Sequence, residues 1–216
     1  MLFMAEFMEP RVVAYAEDHS TPLPAYLERV DEHTRENFPA WGMMVGRQEG
    51  RFLELVVFAL GATRVLEIGT FTGFSSIAMA AGLAPGGAIT TCEVDPVHVT
   101  TARANITASP YEDRIEVVEG PALATIEHLD GPFDFVFIDA DKTGYDAYFE
   151  AVLPKLARRG LIALDNTLQR GEVLDPVGAH DGAVAIAALN DKLAADRRVV
   201  CAFTTIRDGV TLVRRA

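Results

Sequence analysis

Arg64-Val65-Leu66-Glu67-Ile68-Gly69-Thr70-Phe71-Thr72-Gly73-Phe74-Ser75 is the stretch whose reading decides the fold. Val65, Leu66 and Ile68 form a short apolar run of strand type. Gly69 and Gly73 then permit backbone angles and close approaches that a side chain would block. Ser75 or Ser76 is placed to cap a helix near 75–83. A strand, a glycine turn and a helix start of this kind present backbone N–H groups to a ligand at the end of a parallel strand. The spacing Gly69-x-x-x-Gly73 is not the G-x-G-x-x-G of dinucleotide folds, and no Lys-Ser/Thr pair follows it as in a P-loop. Glu67 would repel a phosphate and favour a cationic ligand. By itself the turn also fits a purely structural role.

A second acid narrows the choice. Ala88-Ile89-Thr90-Thr91-Cys92-Glu93 reads as the next strand, with Glu93 at its C-terminal end. An acid there, about 20–30 residues beyond the first turn, is placed to accept hydrogen bonds from ribose hydroxyls. Two acids around a glycine turn suit a nucleoside with a positive centre and no phosphate. S-adenosylmethionine meets that description and NAD does not.

Composition sets the bounds. The chain has 216 residues, enough for one sizeable domain, and half of them are hydrophobic. The net charge of −12 disfavours nucleic acid and acidic membrane surfaces, which need clustered Lys and Arg. Cys92 and Cys201 both lie in apolar strand-like runs and read as thiols of a reducing compartment. No run is long enough to span a membrane. Met1-Leu2-Phe3-Met4-Ala5-Glu6 lacks a basic region and turns acidic at once, so a cytoplasmic location is expected.

Residues 1–60 read as a helical cap on a single domain of residues 1–216, with helices over 26–35 and 48–60 and a loop near 41–46. That cap is a candidate lid, dimer surface or plain covering layer. From residue 64 strands and helices alternate: strands at 64–68, 88–93, 115–119, 133–138 and 160–164, helices at 75–83, 96–108, 122–129 and 145–156. Such alternation predicts a mostly parallel sheet covered on both faces. The ending differs. After a helix over 183–195, strands at 199–205 and 210–214 flank Arg207-Asp208-Gly209, and Asp-Gly between apolar runs signals an antiparallel hairpin.

Two segments carry candidate chemistry. Phe137-Ile138-Asp139-Ala140-Asp141-Lys142 ends the fourth strand, and Leu164-Asp165-Asn166-Thr167 ends the fifth. Adjacent ends of a parallel sheet share one crevice. Asp139, Asp165 and Asn166 would then offer only oxygen ligands, which suits a hard cation such as Mg²⁺, or Ca²⁺ or Mn²⁺, with about six positions to fill. Turn-making and helix capping are the bland alternative for these residue types. His19, His33, His98, His128 and His180 show no metal-like spacing and read as surface or core residues.

The glycine stretch, Phe135-Val136-Phe137-Ile138-Asp139-Ala140-Asp141-Lys142 and Asp165-Asn166-Thr167-Leu168 together resemble the cation-dependent O-methyltransferases of the caffeoyl-CoA and catechol type. Gln48-Glu49-Gly50-Arg51-Phe52-Leu53 and Asp208-Gly209-Val210-Thr211-Leu212-Val213-Arg214 match the same family, so the likeness spans about residues 20–216. It implies a Rossmann-like class I methyltransferase fold with seven strands, S-adenosylmethionine, a divalent metal, a small aromatic acceptor and a homodimer. By motif match, Val45, Glu67, Gly69, Thr70, Ser75, Glu93, Ala122 and Asp139 would hold the cofactor. Asp139, Asp165 and Asn166 would bind the metal, and Lys142, beside Asp139, would be the general base. Pro121 stands where an acid is common and Gln169 where the family often has Trp. Residues 169–181 fall in the insertion that shapes the acceptor pocket, so the acceptor is not legible.

The expected reaction is methylation of one hydroxyl of a catechol. A phenol has a pKa of about 10, so it needs activation at neutral pH, and chelation of two vicinal hydroxyls by a metal supplies it. A metal-independent small-molecule methyltransferase and a non-catalytic S-adenosylmethionine-binding module are the alternatives.

Overall fold

The computed structural model describes residues 9–216. Within them seven strands form one sheet: β1 (Arg64–Ile68), β2 (Ala88–Glu93), β3 (Ile115–Glu119), β4 (Phe133–Ile138), β5 (Leu156–Leu164), β6 (Val199–Thr204) and β7 (Val210–Arg215). Their order is β3-β2-β1-β4-β5-β7-β6. Strands β1 to β5 are parallel, and β7 runs antiparallel to both β5 and β6. The chain winds outward from β1 to β3, then returns to place β4 on the other side of β1. A crevice therefore opens above β1 and β4, at the strands' C-terminal ends.

Helices cover both faces, because β4 is apolar on both. Phe135 and Phe137 point into one core layer, with Val65, Ile77, Leu53 and Leu27. Val136 and Ile138 point into the other, with Leu66, Ile68, Phe149 and Leu189. The first layer is built by α2 (Ala25–Asn37), α3 (Gly46–Leu60), α4 (Phe74–Ala81) and α5 (Pro96–Thr107). The second is built by α6 (Ala122–His128), α7 (Tyr145–Val152) and α8 (Asp181–Ala195). The short helix α1 (Pro10–Asp18) lies at the start of the described chain and buries no residue of its own. The expectation of no leader in residues 1–6 lies outside the described residues, as does the first part of the helical cap. Among the described residues no helix is long and apolar enough to cross a membrane.

Two local expectations need correction. Neither Ser75 nor Ser76 caps α4; its N-cap is Gly73 at φ 87°, with no side-chain cap. The chain enters that helix through a left-handed residue, so both serines fall inside the first turn, and the Ser76 hydroxyl donates to Glu67 Oε2 instead. The helix expected over 145–156 stops at Val152, passes through a single 3-10 turn at Leu153–Lys155, and β5 begins at Leu156 rather than 160. Pro154 stands in that turn, and the β4–β5 register shifts between Phe133 and Phe135. The final hairpin forms, and its loop is five residues, 205–209, with Arg207 at φ 47° and Gly209 at φ 87°. Asp208-Gly209 closes the tip, as expected of an antiparallel hairpin.

Candidate active site

The glycine turn is built for the approach of two strand ends. A Cβ on Gly69, which sits at φ 99°, would lie 2.0 Å from the Asp139 carbonyl oxygen. Glycine at this position lets β1 and β4 converge. The ends are stitched in series: Gly69 N–H donates to the Cys92 carbonyl at 3.0 Å, Asp139 N–H to Ile68 at 2.8 Å and Asp165 N–H to Ile138 at 3.0 Å. Cys92, Ile68, Asp139 and Asp165 are thereby fixed across β2, β1, β4 and β5.

Glu93 is held in place by backbone donors. Phe71 N–H reaches Oε2 at 2.7 Å, while Val94 and Asp95 N–H reach Oε1 at 2.9 and 3.0 Å. Phe71 adopts φ 49° to make its contact. The Thr70 hydroxyl pairs with Thr91 at 2.6 Å, and Thr91 in turn donates to Glu67 Oε2 at 2.6 Å. Burial pushes the Glu67 carboxyl up to about 7, against the opposing effect of hydroxyl donors from Ser75, Ser76 and Thr91. Its Oε1 has no partner.

A cleft of about 590 Å³ opens above these strand ends, within the ordinary range for small-molecule sites. Val45, Gly69, Thr70, Ser75, Glu93, Ala122, Asp139, Lys142 and Asn166 all line it. Glu67 and Asp165 do not. Glu67 is fully buried beneath the turn, and Asp165 is 2% exposed behind Asn166. The sequence-derived residues thus gather at one place, two of them under its floor.

The charged corner lies at the ends of β4 and β5. Lys142 Nζ donates to Asp139 Oδ1 at 2.8 Å and to the Tyr145 hydroxyl at 2.7 Å. Tyr145 is completely buried and donates to the Asp165 carbonyl at 3.2 Å. Asp165 Oδ1 accepts Asn166 N–H at 2.6 Å. Asn166 itself sits at φ 54°, a conformation asparagine tolerates better than most residues. Glu49, from α3, lies against Asp165, and Arg207 donates to its Oε2 at 3.0 Å. Burial, then the charge of Asp139, raises Asp165 to about 6. Burial, then the charge of Asp165, holds Glu49 well above the usual carboxylate range.

This donor set fits a hard cation. Its ligand atoms would all be oxygens, from two carboxylates and one amide, as hard cations prefer. Among the described residues no three acidic, histidine or cysteine side chains stand close enough to hold an ion together. The set in question has two carboxylates and an amide.

Glu49, Tyr145, Arg207 and His98 had no assigned part in the sequence reading. Tyr145 stands three residues after Lys142, a spacing that brings side chains together on a helical turn. Glu49 and Arg207 are remote from the motifs in sequence and are joined to them only by the fold. His98 lines the cleft, its Nδ1 3.8 Å from Glu93 Oε1 and its ring edge-on to Phe71 at 4.8 Å.

The O-methyltransferase family model matches residues 17–216. A probable caffeoyl-CoA O-methyltransferase of Dictyostelium discoideum is 36% identical over 210 residues, covering 94% of this chain and 91% of its own. A catechol O-methyltransferase of Mycobacterium tuberculosis is 47% identical over 146 residues, covering 67% of this chain and 64% of its own. Among solved structures, an SAH-bound methyltransferase of Podospora anserina superposes with a TM-score of 0.89 at 30% identity, covering 95% and 94% of the two chains. An O-methyltransferase from Bacillus cereus in complex with SAH superposes with a TM-score of 0.87 at 34% identity, covering 95% and 97%. The chain belongs to the O-methyltransferase family.

Proposed function

We propose that the protein moves the methyl group of S-adenosylmethionine to one hydroxyl of a catechol-like aromatic acceptor, with a divalent cation such as Mg²⁺ in the site. The observation that carries this is the convergence of Asp139, Asp165, Asn166 and Lys142 at the ends of β4 and β5, beside the cleft over Gly69. The names of the Dictyostelium and Mycobacterium relatives support the acceptor class, and the SAH in two structural neighbours supports the donor.

In this mechanism the two halves of the cleft divide the work. Gly69, Thr70 and Ser75 offer the turn to the methionine end of the donor, with the Glu67 carboxylate beneath. Glu93 accepts from the ribose hydroxyls, the Ala122 N–H faces the adenine, and Val45 closes the near wall. Asp139, Asp165 and Asn166 would hold the cation, which supplies a lowered phenol pKa and a fixed approach angle to a chelating acceptor. Lys142 Nζ takes the proton from the attacking hydroxyl. Tyr145 and Asp139 hold that nitrogen at the strand end from two sides. Transfer needs the acceptor oxygen in line with the methyl group, so alignment by rigid strand ends contributes directly to the rate.

Asp165→Ala tests this. Methylation of a catechol should fall about 10³-fold or more, with donor affinity little changed. Retention of activity within about tenfold of wild type would remove the cation from the mechanism.

A further inference from the structure

His98 lines the cleft beside Glu93 and has no part in the reaction just described. It stands in the first turn of α5, where its backbone N–H donates to the Asp95 carboxylate at 3.3 Å. Its ring meets Phe71 of the glycine turn edge-on at 4.8 Å, and Phe38, which follows α2, at 5.8 Å. Phe71 and Phe38 are themselves edge-on at 5.5 Å. This packing fixes the ring, but a phenyl group would serve it as well. It does not account for a nitrogen turned toward a carboxylate. Nδ1 lies 3.8 Å from Glu93 Oε1, too far for a direct hydrogen bond. One hydroxyl oxygen about 2.8 Å from each atom fits between them.

A ribose hydroxyl that donates to Glu93 keeps its lone pairs, and those call for a donor. The nearby backbone is already committed. The N–H groups of Phe71, Val94 and Asp95 go to the Glu93 carboxylate, and that of Gly120 goes to the Glu93 carbonyl. The Asp95 carboxylate only accepts, from Val97 and His98 N–H. The imidazole of His98 carries the N–H that the hydroxyl lacks.

We propose that His98 is a donor-binding residue that shares one ribose hydroxyl of S-adenosylmethionine with Glu93. The hydroxyl donates to Glu93 Oε1 and accepts from His98 Nδ1–H. His98 thereby helps the cleft tell a ribonucleoside from its deoxy form. This rests on the reading of Glu93 as the ribose acceptor.

His98→Phe keeps a ring against Phe71 and Phe38 and removes both nitrogens. The test measures by calorimetry the Kd of wild type and variant for S-adenosylhomocysteine and for its 2′-deoxy and 3′-deoxy analogues. Wild type should bind one of the two analogues about tenfold or more weakly than the parent. His98→Phe should weaken the parent by about 3–10-fold and leave that analogue within about twofold, so the discrimination shrinks by the same factor. His98→Leu should shrink it likewise, and it carries the test if the phenyl variant does not fold. A loss on the parent below about threefold overturns the proposal. So does an equal loss on the parent and both analogues, the mark of a residue that only packs. Wild type that binds the parent and both analogues alike overturns the ribose role of Glu93, and His98's part with it. Wild type that binds none of the three overturns the donor cleft itself.

Discussion

The carboxylates ending β2 and β5 stand on opposite flanks of the central β1–β4 pair, and they are treated in opposite ways. Glu93 receives three backbone N–H groups, from Phe71, Val94 and Asp95. Its oxygens are hydrogen-bonded by the backbone before any ligand arrives. Asp165 receives one, from Asn166, and faces Asp139 and Glu49. The first holds the turn through its backbone donors, and in the proposed function it would accept from neutral hydroxyls. The second is a buried carboxyl that burial, then the charge of Asp139, raises to about 6. A carboxylate's partners therefore say more about its use than its position at a strand end.

The contrast can be broken from either flank. On the β5 side, Lys142→Ala should lower kcat by about 10²–10⁴-fold, the usual worth of a positioned base, while the Kd for S-adenosylmethionine stays near wild type. Equal losses in donor binding would make Lys142 a part of the donor site instead. On the β2 side, Glu93→Ala should weaken donor binding by about 100-fold. It should also lower the melting temperature, because three backbone donors lose their acceptor. If only binding changes, the turn does not depend on Glu93.

The smallest expected effect concerns Glu67, buried under the turn. Its folded-state pKa is raised to about 7 by burial. A raised acid contributes stability below its unfolded pKa and loses that contribution as pH rises through the folded value. Stability should therefore decline between about pH 4.5 and pH 7, by an amount on the order of 3 kcal/mol from this group. Glu67→Gln should flatten that decline in denaturant unfolding followed across pH, and an unchanged slope would assign the decline elsewhere.

Much of the fold was legible because its core strands are buried on both faces. The run from Phe133 to Ile138 could only be a central strand, and the alternation around it predicted the parallel sheet. Asp208-Gly209 marked the hairpin. The insertion of β7 between β5 and β6 was less visible, since order in a sheet depends on packing between distant segments. The same limit applied at the site. Asp139, Lys142, Asp165 and Asn166 stood out because each ends a recognisable strand or opens the turn after it. Glu49 stood only in the motif of the helix before β1, and Arg207 only in the hairpin bend. Only the fold, which pairs Arg207 with Glu49, brings them to the site. The serine caps failed for a local reason, because Gly73 had already turned the chain into the helix.

The central claim is that methyl transfer requires a cation at the ends of β4 and β5. The direct measurement is the rate of catechol methylation by the wild-type protein with S-adenosylmethionine in excess chelator, followed by readdition of Mg²⁺ or Mn²⁺. The rate should fall to background and return with the metal. An undiminished rate in chelator would contradict the account.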